Sequence, residues 1–142
     1  MEPEPEPEPK PETSPVADDG EDMLGFNLFE SCAARRTEEF AFGAELRLKI
    51  VCLDDEPIGV QSGQLLWPAA PALCRHIVSV WNTLPRGTVL ELGAGCGMVG
   101  IVAARLGAER VVLTDRDVGA LEMVAENISA AAVGAQCRYV PA

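Results

Sequence analysis

The chain is expected to fold as an α/β domain of Rossmann-like type, and two stretches carry that expectation. The first is Thr88-Val89-Leu90-Glu91-Leu92-Gly93-Ala94-Gly95-Cys96-Gly97-Met98-Val99-Gly100, in which an apolar, β-branched start runs into four glycines and then into an Ala-rich apolar run. Strand, glycine turn and helix in that order form the phosphate- or nucleoside-binding corner of a Rossmann-like sheet. The second is Arg110-Val111-Val112-Leu113-Thr114-Asp115, a buried strand ending in a carboxylate 22 residues past Gly93. A Rossmann unit puts the acidic residue that accepts ribose hydroxyls at about that distance.

From the N-terminus, Glu-Pro alternates over residues 2–9, and nine acidic residues face one lysine before Met23. This segment carries -8 of the formal net charge of -11, leaving -3 for residues 23–142. With almost nothing to bury and with prolines favouring polyproline II, residues 1–22 are expected to be disordered. A solvating tail or a docking arm for a basic partner both fit. The segment lacks the basic and apolar regions of a signal peptide, and no apolar run is long enough to cross a bilayer. The remaining ~120 residues suit one small domain, divided as an N-terminal β appendage over 23–62 and a partial Rossmann-like domain over 63–142. Five scattered cysteines, no CxxC and a single histidine, His76, argue against a disulfide framework or a zinc site. They favour a reducing compartment, the cytoplasm first and the nucleus second.

Residues 40–53 alternate apolar and polar, with Leu46, Leu48 and Ile50 on one side and Glu45, Arg47 and Lys49 on the other, which predicts one half-exposed strand. Asp54-Asp55-Glu56-Pro57 breaks it, and Ile58-Gly59-Val60 offers a return partner. A helix follows Pro68 to about Trp81, its inward stripe Ala70, Leu73, Ile77 and Val80. His76 on that helix reads as structural. Trp67, just ahead of it, suits either the core or a wall of the ligand pocket. After the glycine turn, Val99, Val102, Ala103 and Leu106 give a second helix ending at Gly107. Leu121, Val124, Ala125 and Ile128 give a third, and residues 136–140 start a third strand.

Gly95-x-Gly97-x-x-Gly100 also fits a dinucleotide fingerprint, so a NAD-dependent oxidoreductase fragment has to be weighed. Glu91 decides against it. A pyrophosphate sits poorly beside a carboxylate at a buried strand edge, whereas the sulfonium and ammonium of S-adenosylmethionine suit one. Asp115 reads as the ribose ligand, with a plain helix N-cap as the alternative. Cys96 occupies the turn as a small residue.

Three blocks together resemble the seven-strand S-adenosylmethionine-dependent methyltransferases, and within them the protein-lysine methyltransferases of methyltransferase family 16. They are Gly63-x-x-x-Trp67-Pro68-Ala69-Ala70, the Glu91–Ile101 glycine block, and Thr114-Asp115-Arg116. The resemblance covers roughly residues 40–140. It implies S-adenosyl-L-methionine as cofactor, bound by the equivalents of Trp67, Gly93, Ala94, Gly95 and Asp115; Glu91 and Gly97 complete the candidate set, with no metal. It further implies a protein substrate with a lysine acceptor, and neither nucleic acid nor a membrane as partner. The family's sheet continues through strands four to seven, and an Asp-x-x-Tyr motif after strand four shapes its lysine channel. No such motif occurs here. The sequence therefore reads as the N-terminal half of the sheet, strands one to three, and as a C-terminally truncated member. Two functional expectations stay open: a protein-lysine N-methyltransferase in full-length form, or an inactive fragment acting as a weak cofactor-binding or interaction module.

Overall fold

The computed structural model describes residues 34–54, 62–85 and 87–142. Strands β1 (Arg35–Phe42) and β2 (Leu46–Leu53) form an antiparallel hairpin. A 3-10 turn (Ser62–Gln64) leads into helix α1 (Ala69–Val80), which tightens into a second 3-10 turn (Trp81–Thr83). Then come β3 (Thr88–Leu92), α2 (Met98–Arg105), β4 (Arg110–Asp115), α3 (Val118–Ala130) and β5 (Cys137–Pro141). The last three strands make a parallel sheet in the order β3-β4-β5, joined by helical crossovers.

The single strand expected over residues 40–53 is instead two strands. Gly43 takes a left-handed φ of 70° and turns the chain back, so β2 finds its partner in β1. Alternation holds on β2, where Leu46, Leu48 and Ile50 are buried and Arg47 and Lys49 exposed. The return strand expected at Ile58-Gly59-Val60 lies outside the described residues, as does the acidic segment 1–22.

Strand order follows chain order, so right-handed crossovers put both following helices on one face, where α2 and α3 touch. Under them lie Ile101, Val102, Val111, Leu113, Met123 and Val124, all fully buried. Each large aliphatic side chain removed from water there contributes about 1.5–3 kcal/mol. The stripes anticipated for α2 and α3 lie inward, although Val99, Leu106 and Ala125 are only partly covered. On α1 the pattern differs: Cys74 is the buried residue, and Leu73, expected inside, is 48% exposed.

The register puts Leu90, Leu92, Val112 and Val140 on the opposite face of the sheet. Among the described residues no helix covers that face: Leu90 is 60% and Leu92 76% exposed. Strand β3 is also an edge strand there, paired to β4 alone.

Candidate functional site

The glycine turn between β3 and α2 is held residue by residue. Ala94 N–H donates to the Thr114 carbonyl (2.9 Å), and Gly95 N–H to Asp115 Oδ2 (2.8 Å). Gly97 N–H closes the turn on the Ala94 carbonyl (2.8 Å). Gly95 sits at φ 53°, and a Cβ on it would lie 2.9 Å from the Gly63 carbonyl oxygen. Backbone meets backbone here, so only glycine fits. This contact explains why the Gly63–Trp67 block and the glycine block belong to one site.

Asp115 ends β4 next to that turn. Its Oδ2 holds Gly95 and its Oδ1 accepts from Asp117 N–H at 2.9 Å. The cap of α3 is Asp117, whose side chain accepts from Gly119 N–H. The alternative reading of Asp115 as a plain N-cap therefore falls to its neighbour but one. Asp115 is buried, yet it lines a cavity of about 230 Å³ together with Gly63, Trp67, Gly93, Gly95 and Arg116. Each carboxylate oxygen has lone pairs beyond its backbone bond. Hydroxyl donors in that cavity would find an acceptor.

Glu91 and Ala94 line a second, more apolar cavity of about 580 Å³ that shares Trp67, Gly93 and Gly95 with the first. Glu91 Oε2 accepts from Gly100 N–H in the first turn of α2 (2.8 Å). Burial pushes the Glu91 carboxyl up to about 7; the Gly100 N–H works against that shift, and the charge of Asp115 adds to it. A carboxyl in this state gains from a nearby cation.

Trp67 is 56% exposed and borders both cavities, so it stands outside the core. Gly97 borders neither: it caps α2, and a Cβ there would press on Val124 and Leu113. Its place in the structure is packing under the turn. His76 is exposed on α1 and lines neither cavity. Cys96 is buried, its Sγ donating to the Gln64 carbonyl, and burial pushes its thiol up to about 12. A thiol held protonated in this way is a poor nucleophile. Cys52, Cys74 and Cys137 are likewise free and buried, and no metal-holding cluster exists among the described residues.

Two residues escaped the sequence reading. Gln64 reaches Asp117 through Nε2 (3.3 Å), so the loop before α1 is tied to the start of α3. Asn127 is fully buried in the middle of α3. A polar residue one place before Ile128 in the helical pattern was the only signal for it.

Larger apolar side chains gather at the second cavity. Trp67, Leu73, Leu84, Leu90 and Leu92 all line it and all stand exposed.

The chain is similar in sequence and in fold to known methyltransferases. Protein N-lysine methyltransferase METTL21A of Xenopus tropicalis is 45% identical over 75 residues, covering 53% of this chain and 33% of its own length. EEF1A lysine methyltransferase 3 of Mus musculus is 43% identical over 65 residues, 46% of this chain and 27% of that protein. Histone-arginine methyltransferase METTL23 of Mus musculus is 43% identical over 56 residues, 39% and 22% respectively. The chain thus spans about a third or less of the length of these relatives. In structure, it superposes on the Pyrococcus abyssi tRNA (uracil-54, C5)-methyltransferase, solved in complex with S-adenosyl-L-homocysteine. The TM-score is 0.51 at 18% identity, covering 75% of this chain and 24% of that one. That likeness shows the fold, a Rossmann-like α/β sheet. A sequence profile of the family described as lysine methyltransferase matches residues 48–140. The chain belongs to that family, methyltransferase family 16.

Proposed function

We propose that this chain carries the cofactor site of an S-adenosyl-L-methionine-dependent protein methyltransferase, with lysine as the acceptor. The observation that carries the reading is the convergence of Trp67, Gly93, Gly95 and Asp115 on one cavity, with the Glu91 carboxyl in the cavity adjoining it. The residues fit such a ligand on a structural ground too. Gly93, at φ 64°, has open space where a Cβ would stand, so bare backbone faces the place a ligand would fill. The lysine acceptor follows the family and two of the named relatives, while METTL23 is named for arginine.

The cofactor supplies an electrophilic methyl group on a sulfonium. The chain's own residues then bind and orient. Asp115 accepts the ribose hydroxyls and at the same time fixes the Gly95 amide, so the turn and the sugar share one anchor. Glu91 gives its negative charge to the cationic end. Gly93 and Gly95 present backbone, and Trp67 shields the cavity from water. Holding a donor in near-attack geometry is the main contribution a protein makes to such a displacement.

A second reading, in which the chain binds cofactor without transferring methyl, is favoured by the exposed Leu90 and Leu92 of the edge strand β3. Calorimetry with S-adenosylmethionine, S-adenosylhomocysteine and NAD tests the cofactor, and methyl transfer to protein lysine separates the two readings. Preferential NAD binding would overturn both.

A further inference from the structure

Asn127 links the glycine turn to the hairpin through hydrogen bonds of a single side chain. It is fully buried on α3 and makes three hydrogen bonds, all to backbone. Its Oδ1 accepts from Val51 N–H (2.8 Å) and its Nδ2 donates to the Val51 carbonyl (3.0 Å). The amide thus meets the edge of β2 opposite β1 as a neighbouring strand would. The same Nδ2 also donates to the carbonyl of Cys96 in the glycine turn (2.9 Å).

The other anchors of the turn come from the cavity side or from β4. Asp115 holds Gly95, Thr114 holds Ala94, and the Gln64 carbonyl accepts from the Cys96 thiol. Asn127 grips the turn from behind, lining neither cavity. A buried backbone carbonyl left without a donor is costly, so the turn has a strong preference for the arrangement that keeps this bond. Gly95 and Gly97, either side of Cys96, are the flexible points it restrains.

We infer that Asn127 is a positioning residue: it holds the glycine turn in the shape that receives the cofactor, and it couples that shape to the β1–β2 hairpin. The inference rests on the cofactor reading above. Because coupling between two places is reciprocal, filling the cofactor cavity tightens the Val51 clamp as well.

The test compares Asn127→Leu, of similar volume, with Ile128→Ala, which damages the core one residue away but leaves the turn's hydrogen bonds in place. Affinity for S-adenosylhomocysteine is measured on the full chain at a temperature where circular dichroism shows each variant folded. Asn127→Leu should weaken binding roughly tenfold, the equilibrium worth of one buried hydrogen bond, and shift the Gly95 and Gly97 amide resonances. Ile128→Ala should lower thermal stability with affinity within twofold of the parent. Equal affinity in Asn127→Leu, or equal weakening in both variants, overturns the inference. Hydrogen exchange in the unsubstituted chain gives a second readout should Asn127→Leu fail to fold. S-adenosylhomocysteine should slow exchange of the Val51 amide more than that of Leu48 on the same strand, and equal slowing counts against the coupling. If the unsubstituted chain binds no S-adenosylhomocysteine, the cofactor reading fails and takes this inference with it. Binding that is indifferent to Asn127 removes the inference alone.

Discussion

Replacing Glu91 by glutamine separates its charge from its shape. Glutamine keeps a carbonyl oxygen that can accept from Gly100 N–H, so the tie between β3 and α2 survives. What it removes is ionisation. Burial raises the Glu91 carboxyl from its ordinary 4.5 to about 7 in the unliganded chain. The folded chain therefore holds a proton that the unfolded chain releases between those two values. This contribution to stability is fully present below about pH 4.5 and is lost as pH rises through about 7. At 1.36 kcal/mol per pH unit, the loss between pH 5 and pH 8 comes to between about 2 and 3 kcal/mol. Urea denaturation of the parent at both pH values should show a loss of that order, and Glu91→Gln should remove most of it. The same substitution should weaken S-adenosylmethionine about tenfold at pH 8. It should weaken S-adenosylhomocysteine less, because a thioether carries no positive charge. Unchanged affinity for both ligands, or a parent whose stability does not change across this range, would show that the Glu91 charge plays no such part.

Asp115→Ala should weaken cofactor binding by about 1–3 kcal/mol, since ribose hydroxyls lose their acceptor. It should also speed exchange of the Gly95 amide, which Asp115 holds; calorimetry and exchange at the same pH check both. Trp67→Ala should weaken binding while leaving the ligand-free thermal midpoint nearly unchanged, because the side chain is more than half exposed. A large drop in the midpoint would make Trp67 a core residue after all. Leu92→Lys, on the uncovered sheet face and at the edge strand, should reduce self-association in light scattering without lowering the midpoint, as edge lysines do elsewhere. Unchanged scattering would mean that face does not drive association.

The parts of the site legible in the sequence were those whose chemistry is written in consecutive residues. The glycine turn, the strand ending at Asp115 and the 22-residue interval between Gly93 and Asp115 follow from chain geometry, and the structure assembles them around one cavity. The helices were legible for the same reason, through their apolar spacing. The hairpin was misread because the alternating pattern of residues 40–53 continues through Gly43, and periodicity cannot distinguish one strand from two across a tight turn. Leu73 was expected inside because helical spacing predicts a face, not what packs against it. Asn127 was missed since its value comes from contacts 76 residues away at Val51 and 31 away at Cys96. Long-range hydrogen bonds of a single polar residue leave no local pattern. Gly63 was read as part of a block beside Trp67, but its contact with Gly95 could be seen only once both loops were placed.

The central claim is that the cavity bordered by Gly93, Gly95, Trp67 and Asp115 receives S-adenosylmethionine or its homocysteine product. Amide and indole resonances recorded on the full chain during titration test this most directly. S-adenosylhomocysteine should shift the Gly93, Gly95 and Asp115 amides and the Trp67 indole saturably, leave His76 on the exposed face of α1 unmoved, and not be mimicked by NAD. Saturable shifts with NAD at those same positions, or shifts from S-adenosylhomocysteine confined to residues away from the turn, would contradict it.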